Sequence, residues 1–156
     1  MENICQVISF SKTKEILTEL NFFGSEPIPD GFLNERHILS IAKKLQKNVM
    51  FQPIPDWEAF ESGMIDILPG QLIDICFSGL EYQNEKLLII TMESYTTDKV
   101  FLVDFVHYEE FANSYDLYLG ENMDFVQPMD YIFLLLNQKN VVYVNHEGVF
   151  TQIKFG

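Results

Sequence analysis

The last part of the chain, residues 127–155, alternates short apolar runs with polar turns. The runs are rich in Val, Ile, Tyr, Phe and Thr, the residue types that favour strands, and the gaps hold the Asn and Gly that tight turns use. The pattern predicts a three-stranded meander with strands at Tyr131–Leu136, Val141–Val144 and Val149–Phe155 and turns at 137–140 and 145–148.

The N-terminal third has a helical pattern after one short apolar run. Asn3–Phe10 is predicted as a strand, followed by a helix that Ser11 caps and Gly24 ends. Asn34 is the predicted cap of a second helix over residues 35–47, whose apolar positions fall on one side and whose last turns are basic.

The middle of the chain mixes short strands with one longer helix. A proline-bounded connection is expected at 51–56, then one helical turn that Asp56 caps and Gly63 ends, and a turn at Pro69-Gly70. Tyr108–Leu119 has helical spacing, with Phe111, Tyr115 and Leu119 facing inward. The strands predicted here are Ile65–Leu68, Gln71–Phe77, Lys86–Met92 and Val100–Val106.

These elements predict an α+β fold. Helices lie mainly in the N-terminal third and pack on a largely antiparallel sheet that ends in the C-terminal meander. A length of 156 residues without repeats or a linker predicts a single domain, 1–156. Cys5 and Cys76 lie in apolar runs and are expected to be buried free thiols. Since no signal peptide or long apolar segment is evident, we expect a soluble cytoplasmic protein.

The distribution of charge changes this picture more than the net charge of −13 does. Acids and bases balance over residues 1–48, with six of each. Lys47–Lys86 and Lys99–Lys139 enclose two windows without Lys or Arg, and each window holds seven acids. We call these the two cation-free windows. They disfavour binding to nucleic acids and to anionic membranes, which both need basic contacts.

No catalytic or metal-binding motif is present, so we expect no catalytic residues, no metal and no cofactor. The chain has no GxSxG, P-loop, GxGxxG or paired-cysteine pattern. His37 is expected to be a solvated helix residue and His146 a polar turn residue. His107 precedes Glu109 and Glu110 and could act as a general base only if the fold brought these groups together.

Three segments combine acids with large aromatic residues inside the two windows. Such segments are typical either of ordinary amphipathic elements or of an interface, where aromatic rings anchor a partner and acids meet its basic groups. The absence of Lys and Arg favours the interface. The predicted partner-binding residues are Asp56, Trp57, Glu58, Glu61, Asp66, Glu109, Glu110, Asp116, Tyr118, Glu121 and Asp124.

The segments PMDYIFLLL and NVVYVNHEGVF resemble the closing hairpin of small bacterial immunity proteins, which protect a cell from polymorphic or contact-dependent toxins. The resemblance covers about the last third of the chain and identifies no binding residues. It implies a single-domain inhibitor that binds a toxin tightly, often a basic nuclease.

We therefore expect a non-enzymatic acidic protein that neutralises a basic toxin, without direct binding to nucleic acid or membrane. Acidic patches accelerate association with a basic partner and select against wrong partners. Two alternatives stay open. One is a decoy that mimics DNA, which needs acids spaced like phosphates. The other is a small enzyme that uses His107 or His146 with neighbouring carboxylates.

Overall fold

A computed structural model describes residues 4–29, 31 and 33–156. The described residues form seven strands and seven α-helices. The strands are β1 Cys5–Ile8, β2 Val49–Pro53, β3 Lys86–Ile90, β4 Val100–Asp104, β5 Tyr131–Leu135, β6 Asn140–Val144 and β7 Val149–Lys154. The helices are α1 Phe10–Glu19, α2 Glu35–Lys44, α3 Trp57–Glu61, α4 Pro69–Cys76, α5 Ser94–Thr97, α6 Tyr108–Asn113 and α7 Tyr115–Leu119.

The strands form one antiparallel sheet in the order β1-β4-β3-β5-β6-β7-β2. This confirms the α+β class and the C-terminal meander, in which β5 pairs with β6 and β6 with β7. Helices α1 and α2, the two longest, lie in the N-terminal third, but helices are not concentrated there as predicted. Five shorter helices follow between residues 57 and 119.

Helices cover both faces of the sheet, so the domain has three layers with two hydrophobic cores. Alternate strand residues point to opposite faces. Leu87, Ile89 and Phe133 pack with α3, α4, α6 and α7, whereas Leu88, Ile90 and Leu134 pack with α1 and α2. Because β3, β5 and β6 are buried on both sides, their sequences are nearly continuous apolar runs rather than alternating ones.

The N-terminal cap of helix α1 is Ser9 and not the predicted Ser11. The Ser9 hydroxyl accepts a hydrogen bond from the Lys12 backbone N–H at 3.0 Å, and α1 begins at Phe10. The strand is correspondingly shorter, and Asn3, its first predicted residue, lies outside the described residues. Helix α1 ends at Glu19, before Gly24. The Asn34 cap is confirmed, since its side chain accepts from the His37 N–H at 3.0 Å.

Two predictions around residue 70 are wrong. Ile65–Leu68 adopts no regular structure, and Gln71–Phe77 lies largely in α4 rather than in a strand. Pro69 begins the helix, where its missing N–H costs nothing, and the Gln71 side chain accepts from the Leu68 N–H at 2.8 Å. Leu72, Ile73 and Cys76 are buried at helical spacing. The β-branched residues Ile73 and Ile75 favoured the strand prediction instead.

Three further elements differ from the prediction. Residues 51–53 belong to β2 instead of a connection, with Pro53 at the end of an edge strand, where proline is tolerated. The predicted 108–119 helix is two helices that meet at Ser114, although Phe111, Tyr115 and Leu119 are buried as expected. Strand β4 ends at Asp104, and helix α5 was not predicted.

Both cysteines are buried free thiols, as predicted. Burial raises the pKa of Cys5 and of Cys76 to about 12. Since the thiolate is the nucleophile, burial disfavours reaction of either thiol in the folded protein.

Candidate functional site

The helices α3, α4, α6 and α7 cover one face of the sheet and contain no Lys or Arg. We call this side of the molecule, with the loops that join these helices, the acidic face. Nine of the eleven predicted partner-binding residues are its acids, and all nine side chains are exposed. They are Asp56, Glu58, Glu61, Asp66, Glu109, Glu110, Asp116, Glu121 and Asp124.

The two cation-free windows meet in a groove on this face. Asp66 comes from the first window, and Asp116 and Asp124 come from the second, yet all three line one cavity of about 360 Å³. Its apolar wall is made by residues that include Phe60, Ile67 and Phe125. Segments fifty residues apart in sequence therefore contribute carboxylates to a single concave surface. We call this cavity the acidic groove.

Apolar side chains are exposed beside these acids. Leu68, which lines the groove, is 62% exposed, and Leu117, next to Asp116, is 78% exposed. Met64, close in sequence to Asp66, is 80% exposed. These side chains leave apolar area in water beside charged groups, which a protein partner could cover.

The acids of this face lack basic partners within the described chain. Ion pairs elsewhere in the described chain include those of Lys12 with Glu15, Lys44 with Glu26 and Lys86 with Asp104. Lys99 reaches the edge of the acidic face, but its ammonium group donates to the Leu119 carbonyl at 2.6 Å, at the end of α7. This contact stabilises the negative end of a helix and leaves the carboxylates of the groove without a cation.

One of the two predicted aromatic anchors needs correction. Trp57 is only 7% exposed. It packs edge-to-face on Phe60, and its indole N–H donates to the His146 carbonyl at 3.1 Å. Its ring thus belongs to the core. Tyr118 is half-buried, with its ring 5.9 Å from that of Phe111, and burial followed by nearby charge raises its pKa.

Part of the acidic charge also serves the fold. Glu109 and Glu110 lie in the first turn of α6, and Asp116 lies in the first turn of α7. Carboxylates at these positions interact favourably with the positive end of the helix dipole, by about 0.3–1 kcal/mol each. Asp66 and Asp124 lie in loops, so they carry the charge of the groove without this helical role.

The histidines do not come together. His107 follows β4, at the end of the sheet where β5 finishes, whereas His146 follows β6, at the end where β5 starts. The length of β5 separates these ends by roughly 14 Å. His37 is half-buried rather than solvated, and its Nδ1 has no hydrogen-bond partner among the described residues.

His146 does contact one carboxylate, that of Asp130, with 2.9 Å between Nδ1 and Oδ1. The hydrogen bond and the charge of Asp130 raise the pKa of His146. Asp130 also lines a cleft of about 490 Å³ on the opposite side of the sheet, together with Glu35 and Tyr143. Burial, followed by these two carboxylates, raises the pKa of Tyr143. Sequence reasoning missed this cleft because its residues are distant in the chain.

One acid of the first window has a structural role that sequence reasoning missed. Glu85 is 4% exposed, and its carboxylate accepts the backbone N–H groups of Asn137 at 2.8 Å and Gln138 at 3.1 Å. It thereby holds the turn between β5 and β6. Nothing in the local sequence distinguishes Glu85 from the exposed acid Glu81, since the turn that it holds lies fifty residues away.

In the part of the chain that the structure describes, no group of three or more His, Cys, Asp or Glu side chains is placed to hold a metal ion. None of the described helices has the length and apolar character needed to cross a bilayer. The chain matches no family model, no curated protein and no solved structure.

Proposed function

We propose that this is a non-enzymatic binding protein whose acidic face takes a basic protein partner, and that it acts as an immunity-type inhibitor of a basic toxin. One observation carries the proposal. The two cation-free windows converge on a single groove, where exposed carboxylates lie beside exposed Leu68.

The electrostatics of this face suit rapid capture of a cation-rich surface. Carboxylates without internal cations project a negative field over about a Debye length, ~8 Å at physiological salt. Such a field steers a basic partner into productive encounters and accelerates association, with a strong dependence on ionic strength. Leu68 and Leu117 then supply apolar surface that is removed from water when the complex forms.

The apolar residues also favour a protein partner over the DNA-mimic alternative. A phosphate mimic works through the spacing of negative charges alone. Exposed leucine and methionine side chains beside the acids contribute nothing to such mimicry, whereas they fit the apolar centre of a protein interface. The enzyme alternative uses His107 or His146 with neighbouring carboxylates, and neither histidine lines the acidic groove.

An inhibitor of this kind works by occupying the basic surface that its target uses on its own substrate. A nuclease binds the phosphate backbone through Lys and Arg. Carboxylates held over the same cations would exclude the nucleic acid. The proposal therefore expects inhibition that is competitive with nucleic acid and that weakens as salt rises.

The test uses the product of the adjacent gene as the candidate partner. Association is measured by stopped-flow fluorescence over a range of salt for the wild type and for the double variant Asp66→Lys/Asp124→Lys. We expect a stable complex with wild type, and association about tenfold slower with the variant at low salt. A neutral or acidic partner, or the absence of a complex, would refute the proposal.

The double variant Glu15→Lys/Glu19→Lys is the matched control. It replaces two exposed carboxylates by two ammonium groups, the same change of charge, on helix α1 of the opposite layer. Both doubles avoid the first turns of α6 and α7, so the helix N-termini of the acidic face are unchanged in both. If both variants slow association equally, net charge rather than the acidic groove controls binding.

A further inference from the structure

Strand β2 is an outer strand of the sheet. It pairs with β7 on one side, and no strand of the described chain pairs with its other side. The edge of a sheet presents backbone N–H and C=O groups that can pair with another extended chain. This edge lies at the far side of the sheet order from β1 and is separate from the acidic groove.

The backbone groups that point outward can be identified. The Ile54 N–H donates inward to the Gly148 carbonyl at 2.7 Å. Since inward and outward groups alternate along an antiparallel strand, Met50 and Gln52 also pair inward. Val49 and Phe51 therefore direct their N–H and C=O groups outward. The backbone nitrogen of Pro53 also points outward, so the N–H that proline lacks is not needed for pairing with β7.

The side chains around this edge are unusually apolar for an open edge. Phe51 is 60% exposed and Met50 is 46% exposed. A cavity of about 390 Å³ lies alongside, and Met50, Leu80 and Gln152 contribute to its lining. An added strand would have side chains alternating between the two faces of the sheet, so those on the Met50 side would reach this cavity.

The charge beside the edge is positive, in contrast to the acidic face. Lys47 and Lys154 both line the cavity next to Met50. No carboxylate of the described chain forms an ion pair with either lysine. The edge strand, the apolar cavity and two uncompensated cations thus occur at one place.

We propose that β2 is a docking strand for an extended acidic segment of a second protein. The segment pairs its backbone with the outward groups of Val49 and Phe51. It places an apolar side chain in the cavity and carboxylates near Lys47 and Lys154. Charge favours this occupant over a second copy of the chain, because pairing β2 with its own copy would bring the same two lysines of each molecule together.

The probes are three labelled nine-residue peptides. One alternates Glu and Val around a central Thr, the second has Lys in place of Glu, and the third has Pro in place of the central Thr. Fluorescence anisotropy should show micromolar binding of the Glu peptide, with the Lys and Pro peptides at least about tenfold weaker. Equal binding of the Pro peptide, or no binding of the Glu peptide, would overturn the proposal.

Hydrogen exchange measured by NMR gives a readout specific to strand addition. Binding of the Glu peptide should slow exchange of the Val49 and Phe51 amides. The amides of Met50 and Gln52 already pair with β7, so their exchange should change little. Binding that leaves the exchange of Val49 and Phe51 unaltered would show an electrostatic contact without strand pairing, and the proposal would be wrong.

Three variants complete the test. Phe51→Pro removes the outward N–H without breaking the β2–β7 ladder, and it should abolish binding of the Glu peptide while the far-UV spectrum is retained. Lys47→Glu/Lys154→Glu should weaken binding of the Glu peptide at least about tenfold. The control Lys12→Glu/Lys86→Glu has the same charge change away from β2 and should bind as wild type. Sedimentation of the protein alone as a dimer that Phe51→Pro disrupts would identify a second copy as the occupant instead.

Discussion

The two helical layers of this protein cover the same sheet but are built differently. Helices α1 and α2 have ten residues each, with side-chain caps at Ser9 and Asn34 and both signs of charge on their surfaces. Helices α3, α4, α6 and α7 have five to eight residues each and carry acids but no Lys or Arg. The first layer follows the rules for a solvated amphipathic helix, and the second departs from them.

The second layer compensates for its short helices with aromatic packing. Phe125, in the loop before β5, contacts the rings of Tyr108, Phe111, Tyr115 and Tyr131 at centroid distances of 5.3–5.9 Å. Isolated helices of this length are unstable in water, so the cluster must hold them. One side of the sheet is therefore stabilised largely by its core, which leaves its surface free to carry unbalanced charge.

The largest expected effect comes from removing the centre of this cluster. Phe125→Ala should lower the free energy of unfolding by about 3–5 kcal/mol, because a 3% exposed ring leaves a cavity among four others. Hydrogen exchange should become faster first in α6 and α7. Leu17→Ala, in the opposite core, should instead act first on α1 and α2. Uniform changes throughout the domain would mean that the two layers unfold as one unit.

Substitutions at two glycines, one beside α3 and one after α1, test how closely each of these helices is packed against a neighbouring turn. Gly148 has φ +90°, and a Cβ there would overlap with Cγ of Trp57 in α3. Gly24, after α1, also has a positive φ, of +63°, but nothing within 4 Å of its Cβ position. Gly148→Ala should cost about 2–4 kcal/mol by urea unfolding, through strain and overpacking together. Gly24→Ala should cost only about 1–2 kcal/mol, from backbone strain. Equal losses of stability in the two variants would argue against close packing of α3 on the turn that contains Gly148.

The acids of the first window separate into those that hold the fold and those that face solvent. Glu85→Gln replaces one acceptor oxygen by an NH₂ group, so an N–H of Asn137 or Gln138 loses its partner. We expect a loss of about 1.5–3 kcal/mol in the free energy of unfolding. The control Glu81→Gln, four residues earlier and exposed, should stay within about 0.5 kcal/mol. An unchanged Glu85→Gln would show that this turn needs no carboxylate.

The smallest expected effect concerns Asp130, an acid of the second window with a titratable partner. Its hydrogen bond and charge raise the pKa of His146 above the ordinary 6.5. The folded pKa then exceeds the unfolded one, so the stabilisation is fully present below pH 6.5 and is lost as pH rises through the folded pKa.

An NMR titration of the His146 ring checks this directly. The wild type should titrate above 6.5, and Asp130→Asn should return the pKa of His146 close to that value. His146 titrating at or below 6.5 in the wild type would contradict the contact.

The elements that sequence reasoning predicted best are those with strong local signals. The meander of β5, β6 and β7 follows from β-branched and aromatic runs between Asn- and Gly-containing turns. Helix α2 follows from its Asn34 cap and its apolar spacing. In both cases, local propensity and tertiary packing favour the same structure.

The errors fall where two local signals compete. The segment Gln71–Phe77 holds Leu72, Ile73, Ile75 and Cys76, which suit a strand by type and a helix by spacing. The helix is favoured because it packs the buried residues of this segment against the sheet. Trp57 is similar, because a tryptophan between acids fits both an interface and a core, and the close approach of Gly148 places it in the core.

The sequence by itself determined the fold class, the positions of most strands and the two cation-free windows, since composition and periodicity act locally along the chain. Only the tertiary structure decided that the windows meet in one groove, that Glu85 is buried while Asp66 is exposed, and that β2 lies at an edge. These properties depend on contacts between segments fifty or more residues apart. Such contacts arise from the order of strands in the sheet, which no local pattern encodes.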